Sequence, residues 1–150
     1  MTDHAPAPTL DELRHAPALA ADPRPGTRAL ADSALGVLGI ELLLVRAART
    51  VLRMPAPTHA DRGTLLVLAE SAASTAAGHA VGPSRRAFGA ELDASFLTGP
   101  ADELVGPLLA EATPLVTEPH RHTWRIVVTD AAGVRVLESR CTLGIVNAPA

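Results

Sequence analysis

The stretch LAESAASTAAGH, Leu68 to His79, places one carboxylate, Glu70, among small and apolar residues. Ser74 follows four positions later, one helical turn on and on the same face. A carboxylate with a hydroxyl beside it can deprotonate water or attack a carbonyl carbon directly. Burial raises the pKa of such a group, which makes it a stronger base near neutral pH. A plainer account of the same residues stays open. Glu70 can reach solvent at an interface or pair with an arginine, and Ser74 can bond to its own helix backbone.

Other reactive side chains are few. Cys141 is the only cysteine, which excludes an internal disulfide and a multi-cysteine metal site. It falls inside an alternating strand pattern, where a cysteine is core more often than nucleophile. HRH, His120 to His122, sets His120 and His122 on one face of an expected strand. Two imidazoles without a third ligand do not make a metal centre, so no metal is expected. A basic strand end facing a phosphorylated ligand, or a solvated edge, accounts for His120 and Arg121 better. Arg85 and Arg86 are either phosphate contacts or surface charge, and Trp124 is read as packing.

These residues need elements to position them. Asp61 is a plausible N-cap for a helix from about Arg62 to Ala80. On that helix Leu66, Glu70, Ala73, Ser74 and Ala77 share one face, and the opposite side is apolar too. A helix apolar all round is buried all round. Before it, IELLLVRAARTVLRM (Ile40 to Met54) reads as a hairpin turning near Arg46–Arg49, followed by the loop Pro55 to Asp61. After it the period drops to two in RAFGAELDASFL, PLLAEATPLVT, HTWRIVVTD and VRVLESRCTLGIV. DAAG (Asp130 to Gly133) is a tight turn joining the last two. The order is β-β-α-β-β-β-β, an α+β fold with an antiparallel sheet wrapped around one long helix. Residues 1–26 form a Pro- and Ala-rich appendage, partly disordered, with a capping box in TLDE (Thr9 to Glu12). Residues 27–150 form the domain, opening with a short helix in TRALADSALGVLG.

Composition narrows the partners. Hydrophobic residues make up 47% of the 150-residue chain, enough for a core, but aromatics only 2%, so Leu, Val, Ile and Ala must build it. Net charge is −3 with no lysine, which argues against nucleic acid. All 13 basic charges are arginine, a bidentate phosphate binder, so a phosphorylated small ligand fits. No run is apolar enough to span a membrane, and the N-terminus lacks the basic and apolar regions of a secretory signal. A cytoplasmic protein without membrane partners is expected.

Three stretches in this order carry a resemblance: VLAESAASTAAG, GAELDASFL, and RHTWRIVVTDAAGVRVLESRCTLGIV with its Trp, Asp-x-x-Gly turn and Ser-Arg. Together they resemble the hotdog-fold thioesterases. Within these they are most similar to the phenylacetate-degradation group, on the branch acting on dihydroxynaphthoyl-CoA and on aroyl groups of enterobactin synthesis. The likeness runs from about Leu38 to Asn147. It implies an acyl-CoA thioester hydrolase acting on a small aromatic or medium acyl group, with no cofactor. It implies a homodimer or homotetramer with its site between subunits. It also implies that Glu70 is general base or nucleophile and that Ser74 positions water or the carboxylate. The family's His-Gly-Gly, whose backbone N–H groups bind the thioester oxygen, falls on Asp61, Arg62 and Gly63. The family places a glutamine in the preceding loop; this chain has none, and His59 is the nearby polar substitute. Where some relatives carry His and Arg near CoA, this chain reads Ser95-Phe96-Leu97-Thr98. Arg85, Arg86, His120 and Arg121 are the expected contacts to CoA phosphates. The alternative is a degenerate relative that binds acyl-CoA, or pairs with a partner, without hydrolysis.

Overall fold

The computed structural model describes residues 6–20, 32–55, 62–99 and 104–149. The elements are α1 (Leu10–Arg14), α2 (Ala34–Val37), β1 (Glu41–Arg46), β2 (Arg49–Met54), α3 (Arg62–Val81), β3 (Arg85–Phe96), β4 (Leu108–Glu118), β5 (Arg121–Thr129) and β6 (Arg135–Asn147). The six strands form one sheet in the order β1-β2-β4-β5-β6-β3, with every neighbouring pair antiparallel. This is the predicted α+β architecture, with the predicted order of elements along the chain and an antiparallel sheet around one long helix.

The helix α3 forms from strong helix formers, chiefly Ala and Leu. It ends at Gly82, whose φ of 74° is a left-handed cap conformation that a side chain would strain. It lies across the inner face of the sheet and touches all six strands. Ala69, Ala72, Ala73, Ala76 and Ala77 are fully buried, and these small side chains let the strands approach. The sheet answers with Leu52, Ala110, Ala112, Trp124, Ile126, Leu137, Cys141 and Leu143. Register shifts at Leu42/Leu44, Gly89/Glu91, Pro114/Val116 and Val128/Thr129 add local twist and help the sheet curl around the helix.

A second, smaller cluster explains why ELLLVR shows no alternation. Leu43 and Leu44 face outward, where α1 covers them. Leu13 packs there with Leu43, Leu44, Val51 and Leu109. The N-terminal capping box is formed as the sequence predicts, with Thr9 and Glu12 bonding reciprocally. Of segment 1–26, residues 6–20 lie along this outer face, held by arginines of β2. Arg53 donates to the carbonyls of Arg14 (3.0 Å) and Ala16 (2.8 Å) while pairing with Glu41 (2.6 Å). Arg49 donates to the Pro8 carbonyl and pairs with Glu111 at 2.5 Å. Both β1 faces are therefore covered, one by α3 and one by α1.

One expectation for the strand that follows β4 does not hold. His120 does not share a strand face with His122. It sits exposed in the β4–β5 turn beside Pro119, which has no N–H to give to the ladder, and β5 begins at Arg121. His122 is buried on the inner face.

Leu68 is fully buried at the centre of α3. Leu68→Ala is expected to cost about 2–5 kcal/mol, from lost burial and the cavity left behind. Chemical denaturation of the variant beside wild type measures it.

Candidate active site

Glu70 lies midway along α3, half-buried, on the flank of the helix that faces β3. The hydroxyl of Ser74 donates to Glu70 Oε1. The i, i+4 spacing therefore produces a direct contact, and it draws the carboxylate toward the C-terminal half of the helix. The same Oε1 rests against Gly89 of β3, where a Cβ would stand 3.0 Å from it. Cys141 of β6 is near enough to feel the charge. Burial first, and then the Glu70 carboxylate, push its thiol up to about 11. The thiol is fully buried and stays protonated at neutral pH, so it serves as core and not as nucleophile.

Arg62 and Gly63 are the first two residues of α3 and both are exposed. Backbone N–H groups at that position have no intrahelical acceptor, and the helix dipole adds partial positive charge there. The Arg62 guanidinium sits 4.8 Å from the centre of the Phe96 ring, at the far end of β3. Asp61 and His59, both expected at the site, lie outside the described residues.

The third expected group gathers at the opposite end of the sheet. Arg85 of β3 donates to the Pro119 carbonyl in the β4–β5 turn. Arg86 pairs with Val146, and Arg121 with Gly144, two residues apart on β6. Arg85, Arg86, His120 and Arg121 thus form one cationic rim. The expected site residues accordingly fall into three places: the Glu70–Ser74 pair, the α3 N-terminus and this rim.

Two residues at the site were missed by sequence reasoning. His122, weighed from the sequence only as a metal ligand beside His120, is buried beneath the rim, and among the described residues its Nδ1 has no hydrogen-bond partner. Gly89 is the other. The signal for it was present, because a glycine inside a strand pattern marks a bulge or a close backbone approach.

No family model matches the chain. It is 28% identical over 115 residues to 1,4-dihydroxy-2-naphthoyl-CoA hydrolase of Listeria monocytogenes, spanning 72% of this chain and 91% of that one. Among solved structures it resembles a thioesterase from Haemophilus influenzae with a TM-score of 0.70 and 21% identity, covering 95% of this chain and 93% of the other. A thioesterase from Pseudomonas aeruginosa gives a TM-score of 0.72 and 24% identity over 79% and 89% of the two chains. The Escherichia coli PaaI protein of the phenylacetic acid degradation operon gives 0.63 and 18% over 77% and 85%. The chain has the hotdog fold. Its structural neighbours are hotdog-fold thioesterases. In this hotdog domain the long helix carries Glu70, and the last strand of the sheet, β3, lies alongside it. Among the described residues no helix is long and apolar enough to cross a membrane.

Burial, and then the charge of Arg85, hold the pKa of His122 below its ordinary 6.5. The folded state therefore keeps it neutral, whereas the unfolded chain protonates it near 6.5. Its contribution to stability is complete above that pH and is lost as pH falls toward the folded value. His122→Phe is expected to flatten the loss of stability between about pH 7 and pH 5, read from denaturation midpoints.

Proposed function

We propose that this hotdog protein is an acyl-CoA thioester hydrolase, with Glu70 as the carboxylate that attacks the thioester carbonyl directly or through a water it deprotonates. The observation that carries this reading is the Glu70–Ser74 contact on the helix flank beside β3. The similarity to a dihydroxynaphthoyl-CoA hydrolase and to thioesterase structures supports the reaction class. A small aromatic or medium acyl group is the substrate we infer.

A thioester carbonyl needs an attacking group on one side and oxyanion donors on the other, each within roughly 3 Å. The backbone N–H groups of Arg62 and Gly63 suit the second role. They cannot serve it for the Glu70 of their own helix. Gly63 and Glu70 are seven residues apart, about 10 Å along the axis, and Ser74 holds the carboxylate away from the N-terminus. One site therefore takes Glu70 from one protomer and the α3 N-terminus from another. Strand β3 suits the seam. It is twelve residues long, it ends the sheet, and it carries the exposed side chains Phe88 and Leu92. An unpaired edge of that length is a template for pairing with a second copy. The cationic rim of Arg85, Arg86, His120 and Arg121 would take the CoA phosphates.

Free-thiol release from aroyl-, arylacetyl- and fatty acyl-CoAs tests the activity. Wild type is expected to turn over at least one class, and Glu70→Gln to lose about 100-fold or more in kcat. A variant retaining the full rate would reject the assignment of Glu70. A wild type that is thermally stabilised by acyl-CoA yet releases no thiol would be a binding protein instead.

Light scattering tests the shared site. The protein is expected at a multiple of its 15.5 kDa chain mass. A hydrolytically active monomer would rule out the two-protomer arrangement.

A further inference from the structure

We infer that Gly89 is a positioning residue for Glu70: its missing side chain makes the seat in which Oε1 is held, leaving Oε2 as the oxygen that acts. This rests on the reading of Glu70 above and deepens it.

Nothing else about position 89 asks for glycine. Its φ is not positive, so the backbone is open to any residue. Its surface is exposed, so no crowding by the core excludes a side chain. The three nearest atoms that a Cβ would meet there all belong to Glu70, with Oε1 at 3.0 Å and the Cδ and Cγ atoms at 3.8 Å. A contact of 3.0 Å is closer than a methyl carbon and an oxygen settle, so one of them must give.

Local strand geometry aims this seat at the helix. The β3–β6 register shifts between Gly89 and Glu91, with Ala90 left out of the ladder. Before the bulge Ala87 faces the core; after it Ala94 and Phe96 do. The inward positions thus change from odd to even at the residue under Glu70. A bulge re-aims the strand at this point, and Gly89 is the last inward position before the change.

The two carboxylate oxygens consequently differ. Oε1 accepts from the Ser74 hydroxyl on one side and lies against the Gly89 backbone on the other. Among the described residues Oε2 has no hydrogen-bond partner and is free to meet water or a carbonyl carbon. A methyl group at position 89 would displace Oε1 by a few tenths of an ångström and disturb its contact with Ser74. It would misplace Oε2 without removing any group that does chemistry.

The test compares wild type, Glu70→Gln, Gly89→Ala and Ser74→Ala in thiol release, with circular dichroism and thermal melting to verify the fold. Gly89→Ala is expected to melt within a few degrees of wild type. Its kcat should fall about ten- to hundredfold with KM unchanged, as misplacement of a reacting group predicts. Gly89→Ala combined with Ser74→Ala should be no worse than the more damaging single change, since both act on one oxygen. The carboxyl 13C resonance of Glu70 should move in Gly89→Ala, a readout that needs no turnover.

If Glu70→Gln is inactive while Gly89→Ala keeps the wild-type kcat, the seat is wrong and the role of Glu70 stands. If Glu70→Gln is fully active, the functional reading fails and this inference fails with it. An unmoved Glu70 resonance in Gly89→Ala overturns the seat whether or not the protein turns over.

Discussion

The fold depends on how closely one helix can lie against a curved sheet. Five alanines of α3 are fully buried against strands that themselves present Ala110, Ala112 and Cys141 at the contact. Close approach gives dense packing from small side chains, and the gain comes from contact and from apolar area removed from water. It also places α3 beside β3, at the open edge of the sheet, where a carboxylate on the flank of the helix remains half in solvent. A helix of larger residues would ride higher, and Glu70 would no longer meet the β3 backbone.

That geometry resolves the tension in LAESAASTAAGH. A carboxylate deep among alanines would carry a heavy desolvation cost if fully buried. Glu70 avoids this by standing at the margin of the packed region, with a hydroxyl one turn away and a glycine opposite. The neighbouring strands show the contrasting solution. Cys141, fully buried, stays uncharged, and His122 is held neutral by burial and by Arg85. Ionisable groups around the helix are thus sorted by depth, and the charge sits where water or a ligand can reach it.

The two faces of the sheet are covered differently. The inner face is covered by α3, which touches all six strands, whereas the outer face is covered over β1, β2 and β4 by α1 and its flanks. Arg49 and Arg53 secure that cover, each joining a carboxylate of the sheet to carbonyls of the N-terminal segment. The outer side of β3, β5 and β6 carries polar residues such as Asp93, Arg125, Glu138 and Arg140 instead, with Arg125 and Glu138 paired at 2.6 Å. Apolar side chains exposed on β3 are therefore prominent by contrast, which is why its edge reads as the seam.

The sequence by itself determined the elements. A period of two in four late segments, a helix apolar on every side and the Asp130 turn are local patterns, and each produces its element through contacts within a few residues. The i, i+4 spacing of Glu70 and Ser74 is equally local, so their meeting was legible in advance. What only the tertiary structure decided are relations between distant segments. The burial of four consecutive residues, Leu42 to Val45, needed α1 to return over the outer face. His120 and His122 parted because the β4–β5 turn takes in His120, so that β5 begins one residue later than alternation implied. Gly89 met Glu70 because a bulge shifted the register of β3 against β6. Side-chain alternation cannot reveal a bulge beforehand, since the extra residue is accommodated by pairing with another strand, and that pairing is absent from the local pattern.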